Sequence, residues 1–125
     1  MSLPADLKYT KEHEWTRIEG SIATIGVTDF AQSELGDIAW LEMPDIGSET
    51  VIGEAFGTIE AVKTVEDLYA PISGKIIEIN SELLDSPELV NDDPYGRGWI
   101  VKLEISDEAE IAKLLSADDY AGLIE

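Results

Sequence analysis

Lys63 stands near the middle of a segment, Gly57 to Gly74, flanked by two strand-like runs. Ala55 to Val62 is the first run; Lys75 to Ile79 follows a Pro-Ile-Ser-Gly turn. Apolar Ile59, Val62 and Val65 surround the lysine, and Glu60, Glu66 and Asp67 make its neighbourhood acidic. A lysine offered between two strands can serve as a site of covalent cofactor attachment, although composition alone reads it as a solvated surface residue. Other chemistry is thin. A nucleophilic triad needs a base in reach of a nucleophile and an orienting acid, and the chain has one histidine, His13. The glycines are scattered, so no phosphate-cradling loop forms. Asp92-Asp93 and Asp118-Asp119 fall outside any calcium-loop pattern and read as solvated turns or helix starts.

The elements that must position these residues belong to a chain of 125 residues, enough for one core. We expect a single domain over residues 1–125, with a core about 7–105 and a carboxyl-terminal helical segment about 107–124. The net charge of −19, from 27 acidic and 8 basic residues, disfavours nucleic acid and anionic membranes and favours basic patches on protein partners. The absence of cysteine removes disulfides and thiolate metal sites. A hydrophobic content of 44% is that of a folding chain, not an acidic tail. No run reaches membrane-spanning length, and the first residues resemble neither a secretory signal nor an Arg-rich transit peptide. A bacterial cytoplasmic protein, or a mature mitochondrial one, is expected.

Along the chain, Leu7–Thr10, Glu14–Glu19 and Ser21–Val27 read as strands, the last with Ala23, Ile25 and Val27 on one face. Thr28 reads as the N-cap of a helix over Asp29–Leu35 that Gly36 ends, with Phe30, Ala31 and Leu35 facing the core. Ile38–Met43, Glu49–Ile52, Ala55–Val62, Val65–Tyr69 and Gly74–Ile79 follow as short strands separated by turn residues, a cadence that suggests a barrel or sandwich. Ser86-Pro87 should open a short helix through Val90. Gly98–Ile105 is a strand with Trp99, Val101, Leu103 and Ile105 on one face. Asp107 and Glu110 resemble a capping box before Ile111, Leu114 and Leu115, and Ser116 caps a last helix carrying Tyr120, Leu123 and Ile124. Ala-Val-Lys-Thr-Val contains no turn-forming residue, so turn chemistry alone places no tight turn at Lys63.

Several segments together resemble the glycine cleavage system H protein family. They are Lys-Glu-His-Glu-Trp (11–15), Ile-Gly-Val-Thr-Asp-Phe-Ala-Gln (25–32), Leu-Gly-Asp-Ile (35–38), Leu-Glu-Met-Pro-Asp-Ile-Gly (41–47), Glu-Ala-Val-Lys (60–63), Tyr-Ala-Pro-Ile-Ser-Gly (69–74) and Asn-Asp-Asp-Pro-Tyr-Gly-Arg-Gly-Trp (91–99). They fall in the family's order from about Leu7 to Tyr120. The resemblance implies a mainly β barrel-sandwich hybrid, lipoyl/biotinyl-carrier-like, with a short helix near the amino-terminal third and carboxyl-terminal helices. It puts Lys63 at a hairpin tip, carrying lipoic acid in amide linkage. It implies a non-catalytic carrier, expected as a monomer. The arm takes an aminomethyl group from a PLP-dependent glycine decarboxylase, gives it up to a tetrahydrofolate-dependent aminomethyltransferase, and is reoxidised by dihydrolipoyl dehydrogenase. Attachment would be by a lipoate ligase or a lipoyl/octanoyl transferase, with Glu60 and Gly47 at positions tied to that recognition. Glu14, Asp67, Glu12 and His13 match the positions that hold the loaded arm. Ala61, Thr64 and Val65 depart from commoner residues, conservatively in size.

Three rivals share parts of this pattern. A biotin carrier flanks its lysine with methionines, whereas Val62 and Thr64 stand here. A lipoyl domain of a 2-oxoacid dehydrogenase would be followed by a linker and further domains. An H-like lipoate relay or binding module, not dedicated to glycine cleavage, remains the alternative that the sequence does not separate.

Overall fold

Short strands pair into two open sheets in the computed structural model, which describes residues 3–124. In chain order the strands are β1 (Lys8–Tyr9), β2 (Glu14–Glu19), β3 (Ile22–Val27), β4 (Ile38–Glu42), β5 (Glu49–Thr50), β6 (Ala55–Ala61), β7 (Val65–Tyr69), β8 (Gly74–Ile79) and β9 (Val101–Ile105). They form one sheet in the order β1-β2-β3-β9-β8-β5 and a second in the order β4-β6-β7, with every pair antiparallel. This is the expected mainly β, barrel-sandwich arrangement. Ile25, Ile76 and Leu103 of the large sheet and Leu41, Ile59 and Leu68 of the small one are all fully buried in a shared core. Burying each such side chain contributes about 1.5–3 kcal/mol relative to exposure.

Helix α1 (Asp29–Leu35) bridges the sheets and forms where the sequence predicts it. Thr28 Oγ1 accepts the Ala31 N–H at 3.1 Å, and Gly36, at φ 79° and ψ −155°, ends the helix. Ala31 and Leu35 are buried as expected; Phe30 is only half-buried and lines a cleft instead. The helix expected from Ser86 is displaced. A turn of helix α2 (Glu82–Asp85) comes first, and the Ser86 N–H ends it by donating to the Glu82 carbonyl at 2.8 Å. Pro87 cannot continue the ladder, so α3 (Leu89–Asp92) starts afresh beyond it. Trp99 leaves the row of Val101, Leu103 and Ile105 because β9 begins only at Val101; it packs with the second cluster.

That second cluster, Leu7, Tyr9, Trp15 and Tyr120, joins the amino and carboxyl ends. Tyr9 and Leu115 exchange backbone bonds at 2.8 and 2.7 Å, and the Tyr9 and Tyr120 rings stack at 4.9 Å. Residues Glu108–Lys113 form a 3₁₀ helix capped by Asp107, whose side chain accepts the Ala109 N–H. No capping box forms: Glu110 instead accepts from Ser73, at 2.7 Å from its N–H and 3.0 Å from its hydroxyl. Helix α4 (Ala117–Ile124) follows, with Tyr120 buried against the second cluster.

Candidate functional site

Lys63 sits at the tip of the β6–β7 hairpin, exposed to solvent. The last strand pair is Glu60 with Val65, and the Ala61 N–H closes the loop by bonding the Thr64 carbonyl at 2.8 Å. A sequence without turn residues makes this bend because the tip is tied from outside. The Val62 N–H donates to the Asp37 carbonyl at 3.0 Å. Asp37 is in turn fixed by Asn91, whose amide donates to the Gly36 carbonyl at 2.8 Å and accepts the Ile38 N–H at 3.0 Å. The lysine's own stem then rests on Gly36. Its Cε lies 3.4 Å, and its Nζ 3.8 Å, from where a Cβ on that glycine would stand. Val62 is 80% exposed and Val65 58%, so the tip presents apolar surface on both sides of the amine.

Leu35, next to Gly36 in the chain, is part of the wall of a cleft of about 440 Å³. Val27, Phe30, Ile59 and Leu68 supply its apolar lining; Glu12, His13, Glu14, Glu34 and Glu66 supply its polar groups. A site that combines apolar walls with convergent carboxylates suits a ligand with a hydrophobic body and a cationic end.

Glu14 is the most perturbed of these groups. It opens β2, pairs with Val27 and is buried. The Thr10 hydroxyl donates to Oε1 at 2.7 Å and the Tyr69 N–H to Oε2 at 3.3 Å. Burial dominates these bonds and pushes its carboxyl up to about 8. Beside it, Lys11 to His13 form a three-residue hairpin loop, closed by His13 N–H to the Thr10 carbonyl and Thr10 N–H to the Glu14 carbonyl. Such loops put their last residue in the left-handed region, which glycine ordinarily supplies; here His13 does so at φ 73°. Its Nδ1 lies 2.7 Å from the Tyr120 hydroxyl, and its ring packs 4.9 Å from Phe30. Burial lowers its basicity, with Glu12 and Glu34 opposing.

The structure brings Glu12, His13 and Glu14 together in the cleft lining, while Lys63 lies outside that lining with its stem against Gly36, next to Leu35. Asp67 is elsewhere. Glu66 and Leu68 of β7 line the cleft, so alternation turns Asp67 to the other face of the strand. There its charge raises the pKa of Tyr69. Tyr69 lines a second cleft, of about 790 Å³, that shares Glu12 and Glu14 with the first. Glu60 is exposed in the middle strand of the small sheet, paired with Trp40 and Val65. Gly47, at φ 96°, ends the Pro-Asp-Ile-Gly turn in the left-handed region, and its N–H bonds the Ile76 carbonyl on the large sheet. Sequence reasoning missed Glu34, Glu66, Asn91 and the role of Tyr120; alternation with Leu68 was the one signal that pointed to Glu66. Among the described residues, no group of three or more His, Asp or Glu is arranged to hold a metal.

With this geometry in place, the likeness to known proteins is decisive: the family model described as glycine cleavage H-protein matches residues 7–125. The chain belongs to that family. A "Glycine cleavage system H protein" of Staphylococcus epidermidis is 56% identical over 124 residues, covering 99% of this chain and 98% of the relative. One from Carboxydothermus hydrogenoformans is 55% identical over 123 residues, covering 98% and 95%. The crystal structure of a glycine cleavage system H protein from Mycobacterium marinum superposes with a TM-score of 0.86 at 38% identity, covering 95% of this chain and 96% of that one. Membership of the H-protein family accounts for the fold.

Proposed function

We propose that this chain is a lipoyl carrier of the glycine cleavage system, with the arm in amide linkage to Lys63 Nζ. The observation that supports this best is the exposed Lys63 at a braced hairpin tip, its stem against Gly36, which follows Leu35 of an apolar cleft lined with carboxylates. When attached, the dithiolane supplies a disulfide that accepts a group together with two electrons. The protein supplies position. The aminomethyl group would come from glycine decarboxylase and leave to aminomethyltransferase, and dihydrolipoyl dehydrogenase would restore the disulfide. Between these visits the cleft residues shelter the cargo: Phe30, Leu35, Ile59 and Leu68 exclude water, and Glu12 and Glu14 accept from an ammonium. Asp67, on the outer face of β7, adds to the negative potential. Glu60 is a recognition element for the attaching enzyme; its position between exposed Trp40 and Val65 leaves it open to a partner. Gly47, the second recognition position, shapes the turn after β4.

The test is intact mass before and after incubation with lipoate, ATP and a lipoate ligase, with the addition mapped by peptide. One lipoyl increment on Lys63 is expected, and none on Lys63→Arg, whose fold should be unchanged. Glycine–bicarbonate exchange with glycine decarboxylase should then require the modified wild type. An increment at another lysine, or exchange at the wild-type rate with Lys63→Arg, refutes the assignment; lipoylation without exchange would favour a lipoate relay.

A further inference from the structure

The carboxyl-terminal helix α4 touches His13, a residue of the cleft lining, through Tyr120. Tyr120 is fully buried, and its hydroxyl lies between two partners, His13 Nδ1 at 2.7 Å and Thr28 Oγ1 at 2.8 Å. Thr28 is itself fully buried and already accepts the Ala31 N–H as cap of α1. Two relayed proton arrangements fit these distances; a third, in which His13 and Thr28 both donate to the Tyr120 oxygen, strands the buried phenol proton. In the first, His13 Nδ1–H donates to Tyr120, and Tyr120 donates to Thr28. Thr28 Oγ1 would then accept twice, and its own buried O–H would have no acceptor among its contacts. In the second, Thr28 donates to Tyr120, and Tyr120 donates to an unprotonated Nδ1. Every buried hydroxyl proton then has an acceptor, and buried donors left unpaired are costly.

We propose that Tyr120 is a positioning residue which, with Thr28, holds His13 as the neutral tautomer protonated on Nε2, so that the imidazole presents a donor and no free lone pair to the cleft. Burial supports this, since it lowers the basicity of His13 and pushes the Tyr120 phenol up to about 12, keeping it protonated. The left-handed backbone of His13 is held on both sides, by its N–H to the Thr10 carbonyl and by its carbonyl to the Thr28 N–H at 3.0 Å. Ring and backbone are therefore fixed together. The acidic groups that line the cleft with the ring are Glu12 on its own loop, Glu34 on α1, Glu66 across the cleft on β7, and Glu14 on β2, which keeps its proton up to about 8. Their oxygens can accept from an ammonium. An imidazole lone pair among them would instead act as a base towards it, and the lock removes that base. The purpose assigned to the lock rests on the carrier reading; the lock itself does not.

The chain has one histidine, so a long-range ¹H–¹⁵N correlation spectrum of the unmodified, ¹⁵N-labelled protein reports His13 without assignment. The expected wild-type pattern has an unprotonated Nδ1 and a protonated Nε2. Tyr120→Phe should collapse it to an averaged pattern in which the two nitrogens share the proton. Tyr9→Phe, which keeps the stacked ring beside Tyr120, should leave it intact. A wild-type Nδ1 that is protonated or averaged overturns the proposal, and so does a folded Tyr120→Phe with an unchanged pattern. If Tyr120→Phe does not fold, the wild-type spectrum alone decides. No lipoate enters this measurement, so its failure is distinct from a failure of lipoyl incorporation at Lys63.

Discussion

Glu14 holds its carboxyl where two hydrogen bonds replace water, and that exchange has a sign that stability can read. In the unfolded chain the group ionises near its ordinary value of 4.5; in the folded protein it keeps its proton up to about 8. Over that interval the folded state binds more protons than the unfolded one, so this group's contribution to stability falls as pH rises, then levels off. Glu14→Gln cannot ionise and should lose the slope. Comparing urea midpoints of the two proteins at pH 5 and pH 9, the variant should gain on the wild type by a few kcal/mol at the higher pH, at about 1.4 kcal/mol for each pH unit between the two titrations. A constant difference between them would show that the carboxyl is solvated. The sequence made Glu14 legible only through the company of His13 and Trp15, because burial of a carboxylate leaves no mark in composition. Glu66 and Asp67 are a harder case. Which of two adjacent acids faces the cleft depends on the register of β7 against β6, and a slip of one residue exchanges them.

At the scale of elements, the hairpin tip depends on residues far away in sequence. Asn91 fixes Gly36 to Ile38, Asp37 fixes Val62, and Gly36 leaves room for the lysine stem. Gly36 also occupies a backbone region, φ 79° with ψ −155°, that is essentially restricted to glycine. Gly36→Ala should therefore cost about 1–3 kcal/mol, seen as a lower urea midpoint, and should slow lipoyl attachment by pushing against Lys63. Normal attachment in a destabilised but folded variant would separate the backbone effect from the positioning one. Local signals carried much of this level. Thr28 as cap, Gly36 as stop and the alternation of β3 gave α1 and its neighbours directly. Local signals failed where tertiary contacts took over. Glu110 turns from its own helix to Ser73, Ser86 closes one turn of helix rather than opening the next, and the tip of the hairpin bends without a turn-forming residue.

For the molecule as a whole, two sheets bury one apolar core while 27 acidic residues against 8 basic ones remain to be accommodated. The two salt bridges among the described residues, Arg97 with Glu82 at 2.9 Å and Lys102 with Glu78 at 3.7 Å, leave most carboxylates without a cationic partner. Such a surface contributes little to fold stability but projects a field well beyond contact. A carrier that meets several enzymes in turn, as proposed, gains from that field at the encounter, where complementary charge can raise association rates by about 10–10³-fold. It gains little once docked, when release matters as much as capture. The effect should therefore appear in the dependence on carrier concentration rather than in the maximal rate. Salt screens it: the Debye length shrinks from about 10 Å at 0.1 M to about 3 Å at 1 M. In glycine–bicarbonate exchange with lipoylated protein as the varied substrate, raising NaCl from 0.05 to 0.5 M should increase the apparent KM for the carrier by about tenfold or more, with kcat nearly constant. A KM indifferent to salt would mean that docking rests on apolar surface such as Val62 and Val65 at the hairpin tip, and that the acidity serves solubility alone.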